Sequence, residues 1–205
     1  MKKLILLLLA CLVANSAFAA MGPFDSYMGL YFDTNASQRC YFGPASVPFD
    51  VYLILTNTTA PSINAYELGL DVEVPAGMEG MVFRLASTIA NGVVSGVDVG
   101  TNGPLGGDFI VGLAAPIPSQ PAMVLHYFQY MLLSPMIVHF YIGASSAPSI
   151  PGDLPVVQNA EGSILMQVLV SSGSPDYPVA SVNEPGCGTS ATEEVSFGSV
   201  KSLYR

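Results

Sequence analysis

The sequence predicts an all-β domain, built as a two-sheet antiparallel β-sandwich and followed by a short C-terminal helix or extension. Three observations favour this fold class. The 205-residue chain contains 20 Gly and 16 Pro, and these two residue types interrupt it at short intervals. The segments between them are rich in Val, Ile, Leu, Tyr and Phe, as β-strands are. Several of the segments alternate apolar and polar residues, which is typical of strands with one face in water.

Ten strands are predicted, each bounded by residues that favour turns. In chain order they lie near residues 27–32, 47–57, 63–74, 81–85, 93–99, 108–114, 123–133, 136–144, 163–171 and 177–182. The breaks between them include Asn91-Gly92 and Ser134-Pro135, which favour turns over a continued strand. Ten short strands are enough to form two sheets packed around one core.

The segment from Glu67 to Val74 alternates along its whole length. Its even-numbered positions are apolar, whereas its odd-numbered positions carry Glu67, Gly69, Asp71 and Glu73. The carboxylates of Asp71 and Glu73 would lie about 6 to 7 Å apart on one strand face, and a pair of this kind is what glycoside hydrolysis requires. We favour the simpler interpretation, in which the three acidic residues lie on a solvated strand face.

The predicted strands near 123–133 and 136–144 differ from the others, because they are apolar on both faces. Each should therefore lie in the middle of a sheet or beneath another layer. Since only a short turn at Ser134-Pro135 separates them, we expect the two strands to pair as a hairpin.

Such a hairpin would bring five aromatic and imidazole side chains onto one face. With a loop of even length, Tyr130 would lie opposite His139. The five are His126, Phe128, Tyr130, His139 and Tyr141. A flat face of this kind can stack against sugar rings or contact a protein partner. Two alternatives stay open: the face packs beneath a loop or the tail, or a three-residue loop shifts the register and scatters the cluster.

Residues 1–19 have the pattern of a secretory signal peptide, with two lysines, an apolar run and a final Ala-Phe-Ala. We expect cleavage after Ala19 and a secreted, extracellular product. The apolar run is too short to span a bilayer, so no membrane span is expected. In the alternative, the leader is a lipoprotein signal and the lipid is attached at Cys11. With cleavage after Ala19, residues 20–188 are expected to form the sandwich and residues 189–205 a tail, in which Ser190 and Glu193 form a capping box.

Cys40 and Cys187 are the two cysteines outside the leader. Exported chains with two cysteines usually pair them, so we predict a disulfide between them. The alternative, a reactive thiol or a metal-binding pair, lacks the Cys-x-x-Cys spacing that such sites use.

Charge and motif content exclude several function classes. The chain has 15 acidic and 6 basic residues, with a formal net charge of −9, so no basic face for nucleic acid can be assembled. There is no Gly-x-Ser-x-Gly motif, and outside the leader the only imidazoles are His126 and His139. We therefore expect no catalytic residues, no metal and no cofactor. A structural calcium at Asp98, Asn102 and Asp108 is the alternative, although their spacing does not match a calcium loop.

Three segments of the chain resemble cohesin modules. They read VPFDVYLILTN at 47–57, INAYELGLDV at 63–72 and GSILMQVLV at 162–170. The resemblance implies a jelly-roll-like sandwich that works by binding, and the chain also looks like exported bacterial proteins with one such domain. There is no paired dockerin signature, and the two cysteines are not part of the cohesin pattern. The expected function is a secreted, non-catalytic module that binds an extracellular protein; the alternative is a carbohydrate-binding module with a glycan ligand.

Overall fold

The computed structural model describes residues 26–187, so the predicted signal peptide, Cys11 and the tail at 189–205 lie outside the described residues. The described chain is all-β, apart from two short 3-10 turns at Glu79–Met81 and Ala90–Gly92. The strands are β1 Tyr27–Tyr31, β2 Cys40–Tyr41, β3 Phe49–Thr56, β4 Ser62–Glu73, β5 Val82–Ile89, β6 Gly96–Asp98, β7 Gly107–Pro118, β8 Ala122–Leu132, β9 Val138–Gly143, β10 Val156–Asn159, β11 Leu165–Gln167, β12 Leu169–Val170 and β13 Ala180–Val182.

These strands form two sheets, which confirms the predicted β-sandwich. The smaller sheet has five strands in the order β12-β1-β3-β8-β5, and all neighbours in it are antiparallel except β1 and β12. The larger sheet has eight strands and is organised around β4. On one side β4 pairs with β7, which pairs with β6; on the other side it pairs with β10 and then β9. β11, β13 and β2 continue the sheet outward.

The core lies between the two sheets and is filled mainly by aliphatic and aromatic side chains. In β3 the odd-numbered residues are buried, as its alternation predicts. The largest side chains that are fully buried are Tyr130, Phe109, Phe128 and Phe140. The phenol of Tyr130 donates a 2.6 Å hydrogen bond to the carbonyl of Leu105, so this buried hydroxyl has a partner.

A β-bulge in β8 decides which of its residues face the core. Leu53 pairs with His126 and Ile54 pairs with Val124, so Leu125 is an extra residue in β8. The bulge reverses the alternation: before it the odd-numbered residues are buried, and after it the even-numbered residues are buried. The second half of β8 therefore turns Tyr127 toward the outside of the sandwich.

The predicted hairpin between the strands at 123–133 and 136–144 is wrong. β8 lies in the middle of the smaller sheet, whereas β9 lies in the larger sheet between β4 and β13. The segment between them, residues 133–137, crosses from one sheet to the other. The prediction that both strands are central holds, because each has a neighbour on both sides.

Other predicted strands differ in detail. The strand near 163–171 is divided at Val168, so that β11 joins the larger sheet and β12 the smaller one. β2 and β10 were not predicted; they are short and close to Gly or Pro residues. The structure pairs Cys40 with Cys187, as predicted, with their Cα atoms 5.6 Å apart. Within residues 26–187 no helix has the length and apolar character needed to cross a membrane.

Candidate functional site

The outer face of the larger sheet carries two concavities, separated by the loop of residues 144–155 that connects β9 and β10. The loop crosses β4 at Gly69, where a side chain would collide with the carbonyl oxygen of Ala144. On one side of the crossing lies a concavity of about 720 Å³, which we call the acidic groove. On the other side lies one of about 410 Å³, which we call the apolar cavity.

Two carboxylates hold this loop on the sheet. Glu67 accepts hydrogen bonds from the backbone nitrogen of Ser149 at 2.7 Å and from its hydroxyl at 2.5 Å. Asp108 accepts from the backbone nitrogen of Ser146 at 2.8 Å and also from the Ser146 hydroxyl. The expectation that Glu67 is solvated is wrong, because the residue is only 5% exposed. A buried carboxylate is tolerated here because both of its oxygens accept hydrogen bonds.

Replacing Glu67 with Ala should detach this loop at Ser149, because alanine offers no side-chain acceptor to the backbone nitrogen and hydroxyl of Ser149. We expect the free energy of unfolding to fall by about 1 to 3 kcal/mol. Amide hydrogen exchange at Ser149 should accelerate at the same time. Asp71→Ala, at an exposed position on the same face of β4, is the matched control and should change neither quantity. Unchanged exchange at Ser149 in the Glu67 variant would contradict the tethering role.

The acidic groove is lined by one kind of charge. Five carboxylates line it: Asp71, Glu73, Glu79, Asp108 and Asp176. No Lys or Arg is among the described residues that line it. Its wall includes Tyr141, whose hydroxyl donates a 2.8 Å hydrogen bond to Glu73 Oε2. This bond, with one from His139, lowers the pKa of Glu73, whereas burial and the same carboxylate raise the pKa of Tyr141.

His139 lies at the edge of the acidic groove and bridges two carboxylates. Its Nε2 is 2.9 Å from Glu184 Oε2, and its Nδ1 is 3.4 Å from Glu73 Oε2. Its ring meets that of Tyr141 edge to face, with centroids 6.3 Å apart. His139 and Tyr141 are thus two of the predicted face residues that the structure does bring together, on the outer face of β9.

The other three predicted face residues, His126, Phe128 and Tyr130, are elsewhere. They lie on β8 and point into the core, where each is at most 2% exposed. The five residues therefore do not form one face, and this prediction is wrong. The physical reasons are the bulge at Leu125, which turns these side chains inward, and the crossing of the chain between β8 and β9.

The imidazole of His126 is enclosed by hydrogen bonds. The Tyr66 hydroxyl donates to the carbonyl of Leu125 at 2.9 Å, so it must accept from Nδ1 of His126 at 2.8 Å. Nε2 therefore carries the lone pair and accepts from the Ser87 hydroxyl at 2.8 Å. Burial lowers the pKa of His126 to about 4, so the ring is neutral at neutral pH.

The apolar cavity is bounded by exposed valines. Val97 is 66% and Val99 is 72% exposed, and both lie where β6 passes the edge of the cavity. Ile110 and Leu165 contribute further apolar surface. Exposed apolar side chains around a concavity are more typical of a binding surface than of ordinary protein surface.

A row of tyrosines crosses the outer face of the smaller sheet. Tyr31, Tyr52 and Tyr127 pair directly across β1, β3 and β8, and the last two rings have centroids 5.5 Å apart. Asp50 Oδ1 accepts from the Tyr127 hydroxyl at 2.8 Å and from Gln129 Nε2 at 3.1 Å. Burial and this bond raise the pKa of Tyr127 to about 12. Sequence reasoning missed this tyrosine row, although the outward face of β3 already showed Asp50 and Tyr52.

The described residues contain no group of three or more His, Cys, Asp or Glu side chains that could hold a metal ion. The acids considered for calcium have other roles. Asp98 accepts from the backbone nitrogens of Gly100 and Ile110 and from Asn102 Nδ2. Asp108 holds the Ser146 end of the 144–155 loop.

No protein-family model and no curated protein matches the chain. Among solved structures, it is similar to the sixth cohesin of scaffoldin B from Acetivibrio cellulolyticus, with 10% identity, a TM-score of 0.49, and coverage of 77% of this chain and 97% of that one. It is also similar to the second type II cohesin module of the adaptor scaffoldin ScaA from Acetivibrio cellulolyticus, with 10% identity, a TM-score of 0.49, and coverage of 78% of this chain and 90% of that one. A third similar structure is a non-cellulosomal cohesin from Archaeoglobus fulgidus, with 11% identity, a TM-score of 0.45, and coverage of 71% of this chain and 86% of that one. All three are cohesin modules, the family that the three sequence segments resemble.

Proposed function

We propose that the chain is a non-catalytic module that binds another protein through the outer face of its larger sheet. The observation that carries this proposal is the apolar cavity with exposed Val97 and Val99 beside it. The cavity is built largely on paired strands, so a partner meets a surface that needs little ordering on binding. The neighbouring acidic groove favours a partner with basic side chains, since complementary charge raises the association rate and suppresses wrong partners.

A Ser-His-Tyr arrangement that could suggest catalysis is better explained as structure. Ser87, His126 and Tyr66 stand in the order nucleophile, base and orienting group, with both hydrogen bonds 2.8 Å long. In hydrolases the third group is a carboxylate, which stabilises the imidazolium as it forms. Tyr66 is neutral, and its hydroxyl already donates a hydrogen bond to the carbonyl of Leu125. The arrangement is therefore that of a buried structural histidine.

The test is to capture proteins from the native surroundings of the chain and compare variants. Val97→Asp together with Val99→Asp should reduce retention of the true partner at least tenfold, because a charge would be buried against its apolar contact. Val93→Asp is the matched control, since Val93 is 85% exposed and does not line the apolar cavity. If every captured protein is retained equally by both variants, the proposal fails.

A carbohydrate-binding function is the second candidate, and the tyrosine row favours it. Tyrosine rings next to Asp50 and Gln129 offer both stacking and hydrogen-bonding groups to a sugar. A glycan array distinguishes the two candidates. Specific glycan binding that is lost in Tyr52→Ala but kept in Val97→Asp would favour the sugar ligand over the protein partner.

We also propose that the module acts outside the cell, exported through the signal peptide at residues 1–19. The support is the leader pattern together with the Cys40–Cys187 disulfide, which suits an oxidising compartment. Sequencing the N-terminus of the native protein checks the expected cleavage after Ala19. A lipid-modified N-terminus at Cys11 would instead establish the membrane-anchored alternative.

A further inference from the structure

Five of the described strands lie at the edges of the two sheets, and only β5 among them is long. β2 and β12 have two residues each and β6 and β11 have three, whereas β5 has eight. Natural proteins keep exposed edges short or cover them, because unpaired backbone groups at an open edge pair readily with another strand. β5 pairs with β8 on one side, and no described strand pairs with its other side.

The free edge of β5 also lacks the charges and prolines that usually block strand pairing. Its only charged residue is Arg84, whose guanidinium points toward the core and donates to the carbonyl of Gly103 at 2.8 Å. Phe83 and Leu85 are exposed instead, at 42% and 48%. A concavity of about 490 Å³ lies between the start of β5 and the loop of residues 103–107, so this loop leaves the edge open.

The hydrogen bonds of β5 show which of its backbone groups face the free edge. The nitrogen of Leu133, which continues β8, donates to the carbonyl of Met81, just before β5. In an antiparallel pair the backbone groups of successive residues point alternately toward and away from the partner strand. Because those of Met81 point toward β8, those of Val82 and Arg84 point to the free edge.

A bulge changes this alternation in the middle of β5. The register with β8 skips Leu85, so β5 has one more residue than the stretch of β8 that it faces. The extra residue shifts the alternation by one position. Beyond the bulge, the backbone groups of Ser87 and Ile89 face the free edge. The edge therefore presents even-numbered residues before Leu85 and odd-numbered residues after it.

We propose that two copies of the chain pair through β5, antiparallel and across a twofold axis beside Leu85. A twofold interface is isologous, so each residue pair occurs twice. In one register Arg84 pairs with Ser87 of the second copy, and Val82 pairs with Ile89. All four edge-facing residues of each copy are then paired, and no other antiparallel register pairs all four.

The charge of the chain favours a second copy at this edge. With a formal net charge of −9, two copies repel each other wherever their acidic residues meet. β5 contains no acidic residue, and in the proposed register Leu85 of one copy faces Ala86 of the other. The contact therefore joins apolar side chains without bringing carboxylates together. The open backbone edge also requires a strand as its partner, and β5 is itself an unpaired strand of equal length.

The proposed interface is small. The eight residues of β5 form an edge about 27 Å long, which with its flanking side chains buries on the order of 1,000 Å² in total. Interfaces of this size are weak and transient. We therefore expect a dissociation constant of about 10 to 100 µM, so that the monomer predominates in dilute solution.

Sedimentation velocity of the native chain tests the proposal. The sedimentation coefficient should rise from that of a monomer to that of a dimer between about 1 µM and about 1 mM. Leu85→Lys should weaken dimerisation at least tenfold, because it places two cations beside the twofold axis. Val93→Lys is the matched control, since Val93 is 85% exposed and lies outside β5, and it should leave dimerisation unchanged.

Mixed variants separate pairing across the axis from a general effect of charge. Leu85→Lys and Leu85→Glu should each stay monomeric alone, whereas their equimolar mixture should associate again, since opposite charges then meet at the axis. A mixture of Val93→Lys and Val93→Glu should associate no more than the native chain. If both Leu85 variants keep the native urea midpoint and their mixture stays monomeric, the proposal is wrong.

Amide exchange tests the register. Where the dimer predominates, exchange at Val82, Arg84 and Ser87 should be at least fivefold slower than in dilute solution. Exchange at Phe83, whose nitrogen faces β8, should change much less. Equal slowing at Phe83 and at its two neighbours would contradict pairing through this edge.

Two further outcomes would overturn the proposal. One is a chain that stays monomeric up to about 1 mM. The other is association that persists in Leu85→Lys and is lost in Val97→Asp with Val99→Asp, which would place the second copy at the apolar cavity. That cavity lies on the other sheet, so Leu85→Lys leaves the proposed protein-binding surface unchanged, and each proposal can fail without the other.

Discussion

Removing the disulfide between Cys40 and Cys187 is expected to lower the free energy of unfolding by about 4 kcal/mol. The two cysteines are 147 positions apart in the sequence, so the bond closes most of the described chain into one loop. In the chain-entropy model a loop of this length reduces the entropy of the unfolded state by an amount worth about 4 to 5 kcal/mol. Urea unfolding of the double variant Cys40→Ser and Cys187→Ser measures the loss.

The fold also predicts where the effect is largest locally. β2 consists of two residues and pairs only with β13, so its hydrogen bonds alone hold it weakly. Without the disulfide, amide exchange at Ser181 and Asn183, whose nitrogens donate to the carbonyls of Arg39 and Tyr41, should accelerate before the rest of the sheet opens. Each single Cys variant should lose as much stability as the double one, and chemical reduction of the native chain should reproduce the loss. Equal unfolding midpoints with and without reductant would contradict this expectation.

The fold class was predictable because its signals are local. Frequent Gly and Pro and alternation within single segments, as from Glu67 to Val74, depend only on neighbours in the sequence. β2 and β10 gave no such signal. They are two and four residues long, and they exist because a longer strand beside each of them offers free backbone groups.

The candidate site was not predictable, because it depends on tertiary choices. One extra residue at Leu125 exchanges the two faces of β8, so the predicted binding-face residues His126, Phe128 and Tyr130 point into the core and Tyr127 points outward. A short apolar connection at 133–137 can close a hairpin or cross between sheets, and local composition is the same in both cases. The apolar cavity depends on a further contact of this kind, in which the loop at Ser149 is fixed by Glu67.

The same bulge leads to the second large prediction, a loss of stability in mild acid. His126 is neutral in the fold, where burial lowers its pKa to about 4, while an exposed histidine in the unfolded chain has a pKa of about 6.5. As the pH falls from 6.5 toward 4, the unfolded state takes up a proton that the folded state does not. The contribution of His126 to the free energy of unfolding is therefore fully present above pH 6.5 and is lost as the pH falls from 6.5 toward 4. Linkage gives a loss of about 2 kcal/mol between pH 7 and pH 5, and about 3 kcal/mol once pH 4 is passed.

The variant His126→Phe tests whether this residue is the cause. Phenylalanine suits the aromatic surroundings formed by Phe109 and Phe128, and the Tyr66 hydroxyl keeps its bond to Leu125. At pH 7 the variant should lose about 1 kcal/mol with the hydrogen bonds of the imidazole. Its urea midpoint should then change little between pH 7 and pH 5, whereas that of the native chain should fall by about 1 M.

His139→Gln is the control for the other imidazole of the described chain. His139 is partly exposed at the edge of the acidic groove, so its removal should leave the acid sensitivity between pH 7 and pH 5 in place. If His126→Phe keeps the full acid sensitivity and His139→Gln abolishes it, the surface bridge between Glu73 and Glu184 would be the acid-sensitive element. The buried network at the bulge would then have no part in it.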